Sequence, residues 1–271
     1  MMASVEFLLA YKGLVVGACL LLLFAGERLL PAAPPPEPGP GEPPGGFRRL
    51  ARNGGLWLIN LGLSPLIVVP VSAWAAANSL GFRPDWWSGW PGLVLDVVLL
   101  DLLIYWWHRF NHELPFLWRF HQVHHLDRFL DSSSALRFHF GEVLLSAVAR
   151  AAVIVVLGIP LLSVLVFETL LLCATIFHHS NLRLAPGLEC RLAKVVITPS
   201  IHWVHHHAIR SDTDSNYGTL FSVWDPLFRS RSATARRPDM KIGVEGRAER
   251  SLPQLLLQPF RRRSLRPLTA N

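Results

Sequence analysis

Between Asp101 and His125 the chain reads DLLIYWWHRFNHELPFLWRFHQVHH, an apolar run that passes without a break into five histidines within eighteen residues. His108 and His112 form HxxxH, and His121, His124 and His125 form HxxHH. All twelve histidines of the chain fall between His108 and His207, with none in the first 107 residues or the last 64. Histidines placed for surface polarity or core packing would scatter. Their confinement to one window implies that a single structure needs them, and the chemistry that needs many imidazoles together is metal binding. On a helix, residues four apart share a face, so His108 with His112, and His121 with His124 or His125, can hold an ion between them.

The apolar half of this stretch sets the fold class. Of 271 residues, 51% are hydrophobic and only 17% charged, a balance found in membrane proteins. Apolar runs cover 7–25, 56–80 and 93–107. A longer run, 143–177, is broken by Gly158-Ile159-Pro160 and reads as a tight helical hairpin that need not cross completely. Lys12, inside the first run, is expected to snorkel to its outer end. Trp86, Trp87 and Trp90 fit the aromatic belt of a membrane interface. The chain divides into an N-terminal transmembrane helix (1–32), a Pro/Gly-rich linker read as a bland spacer (33–54), a catalytic domain (55–228) and a basic cytosolic tail (229–271). The tail holds eleven Lys or Arg against three Asp or Glu, so the net charge of +7 resides there. That distribution suits anionic lipid rather than nucleic acid. Arg28, Arg48, Arg49 and Arg52 between the first two spans, and Arg109, Arg119, Arg128 and Arg137 after the third, place the histidines and the C-terminus in the cytoplasm. Three isolated cysteines make no metal or disulfide motif.

His202, His205 and His206 repeat HxxHH about eighty residues after the first copy, and His139 and the pair His178-His179 lie between. A mononuclear zinc site takes at most four protein ligands, so eight or more imidazoles imply two ions. Imidazole does not by itself select among zinc, copper and iron. HExxH, the signature of one zinc hydrolase class, is absent, because His112-Glu113 has no second histidine at the required position. Nitrogen-rich ligation beside an apolar substrate suits a redox pair of irons. The alternative is a non-catalytic polyhistidine protein that binds or transports metal. A transporter should carry ionisable residues along several spans.

Six motifs in order, HRFNH, FLWRFHQVHH, ALRFH followed by Glu142, HHSN, PSIHWVHHH and DSNYGTLFSVWDPLF, resemble those of the fatty acid hydroxylase and sterol desaturase superfamily. The resemblance runs from Asp101 to Phe228. It implies an all-α membrane protein whose transmembrane helices carry a cytosolic histidine-rich cap, holding two iron ions and using O2. It implies His108, His112, His121, His124, His125, His139, His179, His202, His205 and His206 as ligands, and a lipid or sterol-like substrate that is hydroxylated or desaturated. The chain departs from the family pattern at Phe140-Gly141, where Pro usually follows the histidine, at Arg229-Ser230, and at Thr175, where the hydroxylase branch has a further histidine that His178 replaces or supplements.

Asp101 lies seven residues before His108, two turns along the same face, where it is expected to orient that imidazole through its second nitrogen. Asp214, Asn216, Tyr217 and Asp225 follow the last box closely enough to hydrogen-bond ligands or fix the cap. His207 points off the face of His202 and His206 and is not expected to ligate. SLPQLLLQPF in the tail is expected to lie in the membrane interface. No glycine-rich dinucleotide motif, CxxCH or iron–sulfur cysteine set occurs. The electrons for O2 reduction must therefore come from an external donor protein, cytochrome b5-like or ferredoxin-like, which a basic surface would steer in.

Overall fold

A computed structural model describes residues 2–35 and 46–261. Every regular element among them is helical, with only isolated β-bridges. Five helical stretches are long and apolar enough to cross a membrane. The first is α1 (Met2–Leu29). The second joins α2 (Phe47–Leu63) to α3 (Val69–Ala77) through a π-turn over Ser64–Val68. Pro65 and Pro70 lack the N–H that a regular helix would use there, and the wider turn keeps the chain continuous, with Val69 N–H reaching Ser64 O. The other three are α4 (Gly89–Glu113), α6 (Phe140–Leu157) and α7 (Leu161–His179).

Local sequence sets where these helices stop. Leu114 precedes Pro115 and takes an extended conformation (φ −96°, ψ 116°), which ends α4 and lets α5 (Pro115–His125) start with proline in its first turn. Gly158, at φ +63°, closes α6 in the left-handed conformation, and Pro160 opens α7. The break read in 143–177 is therefore a turn between two helices of 18 and 19 residues, each long enough to cross.

The apolar core is built around α4, where Leu100 and Ile104 meet Ala151 and Ile154 of α6 and Val164 and Phe167 of α7. Outward-facing Leu14, Leu21 and Leu22 on α1 are about 70% exposed, as expected of a lipid-facing helix. Lys12 does not snorkel outward. It pairs with Glu168 of α7, whose other oxygen lies 3.5 Å from Arg150 of α6. A lysine in an apolar run is thus satisfied laterally, by a partner the run itself could not disclose.

The linker is shorter than its composition suggested. Arg48, Arg49 and Arg52 belong to α2. Arg49 is half-buried in ionic contact with Asp127 (2.6 Å) and Asp131 (2.8 Å), and donates to the Phe129 carbonyl and Ser134 hydroxyl. Asp131 also caps the short 3-10 turn Ser132–Leu136. The tail is not a free cytosolic extension either, as far as Arg261. Leu255 of α12 (Leu252–Leu257) is fully buried against Leu56, Val123 and Leu126, and Glu249 binds Arg137 at 2.8 Å. Leu257 and Phe260 face outward. The remaining helices are short: α8 (Pro186–Leu192), α9 (Pro199–His205), α10 (Arg210–Thr213) and α11 (Trp224–Leu227).

Candidate metal centre

Two groups of buried histidines assemble where α4 and α7 end and α5 and α9 pack across them. In the first, His108 and His112 from α4, His121 and His125 from α5 and His205 from α9 bring one nitrogen each within 4.8 Å of one another. In the second, His124, His179, His202 and His206 do the same. Each HxxHH box is therefore divided. Adjacent residues on a helix point about 100° apart, so His124 leaves α5 toward one group while His121 and His125 face the other. His205 and His206 divide in the same way.

Second-nitrogen contacts fix how several rings are protonated. His108 Nδ1 faces the Tyr217 carbonyl at 2.8 Å, His205 Nδ1 that of Ser215 at 2.6 Å, His124 Nδ1 that of Arg137 at 3.1 Å and His179 Nδ1 that of Thr175 at 2.7 Å. A carbonyl only accepts, so each Nδ1 carries the proton and each Nε2 presents a bare lone pair. Yet His124 Nε2 and His179 Nε2, both bare, stand 2.9 Å apart. Two lone pairs cannot hydrogen-bond each other. Donors about 3 Å apart are what metal bonds of about 2.1 Å at near right angles produce. His112 Nε2 and His205 Nε2 are buried with no hydrogen-bond partner among the described residues, which is also what ligands to an ion show.

Burial first, and the neighbouring imidazoles next, hold His124, His125, His202 and His206 well below the ordinary histidine range. Burial likewise pulls His205 down to about 3. The rings are neutral at physiological pH, the form that ligates. The donor set fits two transition-metal ions, one with five imidazoles available and one with four.

The ten histidines expected as ligands do not all converge. His139 stands apart: its Nδ1 accepts the Gly141 N–H at 2.9 Å, capping α6, and its Nε2 donates to the Leu256 carbonyl at 3.0 Å. With both nitrogens committed to backbone, it has no lone pair for an ion. His178 donates to the Thr219 carbonyl, and its ring centroid lies 4.1 Å from that of His202, beside the second group but outside it. His207 binds Asp212 at 2.7 Å and faces away.

Asp101 also has a different role from the one its spacing suggested. Its carboxylate accepts the backbone N–H groups of Leu220 (3.1 Å) and Phe221 (3.0 Å) and the indole N–H of Trp224 (2.7 Å), with no contact to His108. Asp225 similarly accepts the N–H groups of Tyr217 and Gly218. A side chain at position 218 would start 2.8 Å from that carboxylate, which accounts for the glycine. Two buried acids thus pin one irregular strap, in which Asn216 is left-handed, and the carbonyls of Ser215, Tyr217 and Thr219 accept from His205, His108 and His178. Asn216 braces the strap through the Ile201 carbonyl and the Ser232 N–H, while Asp214 approaches His112 only to 3.5 Å.

The acid that does touch a ligand is Glu142. Its Oε1 lies 2.9 Å from His121 Nδ1 and accepts from Asn111 at 3.3 Å. Its signal in the sequence was a lone carboxylate in the first turn of an otherwise apolar helix. The rings of Tyr217 and Trp118, with centroids 5.3 and 5.1 Å from that of His112, wall the first group.

The profile of the fatty acid hydroxylase family matches residues 93–230. An ornithine lipid hydroxylase, OlsE, of Rhizobium tropici is 29% identical over 199 residues, 73% of this chain and 59% of that protein. Alkylglycerol monooxygenases of Danio rerio and Homo sapiens are 31% and 29% identical over 143 residues, which is 53% of this chain and 29% of each of them. The chain therefore spans less than two thirds of the length of these relatives. No solved structure matches it.

Proposed function

The chain belongs to the fatty acid hydroxylase family, and from that premise we propose that it is a membrane-bound, O2-dependent oxidoreductase that holds two irons in its two histidine groups and hydroxylates an aliphatic lipid. The observation that carries this reading is the pair of unprotonated Nε2 atoms of His124 and His179, facing each other at 2.9 Å in a buried site, which a cation between them accounts for. The irons, when bound, supply the activation of O2. In the overall balance one oxygen atom enters a C–H bond and the other leaves as water, with two electrons and two protons supplied from outside. Hydroxylation is preferred to desaturation because the relatives are, by name, hydroxylases and monooxygenases.

The protein's own residues do the rest. Carbonyls of Ser215, Tyr217, Arg137 and Thr175 hold four imidazoles in one tautomer, and the Glu142 carboxylate orients His121. Tyr217 and Trp118 keep water from the first group. The site sits at the ends of α4 and α7, so an acyl chain lying along those helices reaches it without leaving the membrane. Arg28, Arg48, Arg49 and Arg52 gather at the same end of the bundle, which supports a cytoplasmic placement for it.

The test is made on protein reconstituted in nanodiscs with lipid. Two irons per chain, and one labelled oxygen from 18O2 in a hydroxylated lipid product, are the expected results. A single metal per chain, or label arriving only from water, overturns the reading.

A further inference from the structure

On the face of α9 turned away from the histidines lies a cavity of about 460 Å³ whose wall includes Arg183, Arg231 and Arg236. Ser200, Ile201 and Val204 of α9 form its floor, while His202, His205 and His206 leave the same helix toward the metal groups. The cavity and the metal centre are therefore separated by the thickness of one helix, about 10–12 Å with side chains.

The charge in this cavity is unbalanced. Glu189 is the one acid in its wall, and its Oε1 is already engaged by the Ser200 N–H at 3.1 Å. No carboxylate among the described residues forms an ion pair with any of the three arginines. Arg236 lies over the ring of buried Trp203, 4.0 Å from its centroid, and donates to the neutral side chain of Asn181 at 3.3 Å. Burial pulls its guanidinium down to about 10, against a smaller opposing pull from Glu189. Arg183 and Arg231 are exposed at the rim. An arginine that is half-buried, stacked on an indole and in no ion pair among the described residues presents a fork shaped for a carboxylate.

Resting on the oxygenase reading, which requires two electrons per turnover from outside the chain, we propose that this arginine-lined cavity is the docking site of an acidic electron-donor protein, whose surface carboxylates engage Arg183, Arg231 and Arg236. The donor is oxidised by one electron at each of two encounters, and each electron crosses α9 to the histidine groups. Position and charge agree: the cavity lies on the outer side of α9, one of the two helices that serve both metal groups.

The experiment uses the full chain in nanodiscs of zwitterionic lipid and a soluble, acidic plant-type ferredoxin as probe. Binding to the wild-type chain should weaken with added salt, and the Arg183→Glu/Arg231→Glu pair should weaken it by about tenfold or more. Arg48→Glu, an exposed arginine on α2, should not. Absence of binding to the wild-type chain, an unchanged dissociation constant in the paired variant, or an equal loss in Arg48→Glu overturns the proposal. Glu37 and Glu42 lie outside the described residues; binding that appears only when both are replaced by Gln assigns the cavity to the chain's own linker and also overturns it. A separate arm reduces the protein with dithionite. Unchanged dithionite-driven hydroxylation in the paired variant, beside its lost ferredoxin binding, supports the docking site. Absence of hydroxylated product with dithionite in the wild-type chain counts against the oxygenase reading, whatever the binding arm shows.

Discussion

His139 and Glu142 are three residues apart, and their roles exchange what their types suggest: the histidine caps a helix and the glutamate serves a ligand. Glu142→Ala should lower metal affinity or turnover about 10- to 100-fold, the usual cost of removing a group that orients a metal-bound imidazole. His139→Asn keeps a capping side chain and should retain both metals. Metal analysis of the two purified variants checks this, and metal loss confined to His139→Asn would reverse the assignment. Asp101 is tested by stability rather than by metal. Asp101→Asn puts an amide where three donors converge and leaves at least one unpaired, a cost of about 1–3 kcal/mol. A lower melting temperature is expected, with metal retained up to unfolding. Metal loss at an unchanged melting temperature would return Asp101 to the ligand shell. Spacing could read that Asp101 and His108 share a helix face. It could not read that Leu220, Phe221 and Trp224, more than a hundred residues later, present three better-placed donors to that carboxylate.

At the scale of elements, the apolar runs gave away three membrane-length helices and a hairpin whose two arms prove long enough to cross, and histidine spacing gave away that α4, α5 and α9 carry the clustered imidazoles. Hidden from that reading were the contacts between helix ends. The start of α2 is an example, since its arginines adjoin a Pro/Gly-rich stretch and looked like part of it. Burial pushes Asp127 up, but the Arg49 and Arg137 guanidiniums override it and hold the carboxylate at about 2. Arg49→Met leaves Asp127 fully buried without its nearest partner and should cost about 3–5 kcal/mol. Adding Asp127→Asn should recover part of that loss. Thermal or denaturant unfolding of the single and double variants measures it, and additive losses would show that the pair does not act together. Nor did the sequence disclose how each HxxHH box divides, because the division depends on which flanks of α5 and α9 face α4 and α7.

For the whole molecule, nine imidazoles share one buried volume. His124, His125, His202, His205 and His206 are held below their ordinary range, so on acidification the unfolded chain takes up protons before the folded one does. Stability of the metal-free protein is therefore fully present above about pH 6.5, the unfolded value, and falls progressively below it. Melting curves of the metal-free protein at pH 8, 7, 6 and 5 should show little change over the first step and a growing loss over the later ones. A flat profile would mean that the rings are solvated.

The divided boxes have a consequence for synthesis. Neither metal group is complete without α9, because His205 belongs to one and His202 and His206 to the other. When His125 leaves the ribosome, about eighty residues remain to be made before His206 follows it. At ~5–20 residues per second that is roughly 4–16 s. Without α9 the first group has four of its five imidazoles and the second only two of its four, so closure of the second group belongs to the finished chain. A chain ending within α8 should insert in the membrane and fail to hold the second ion.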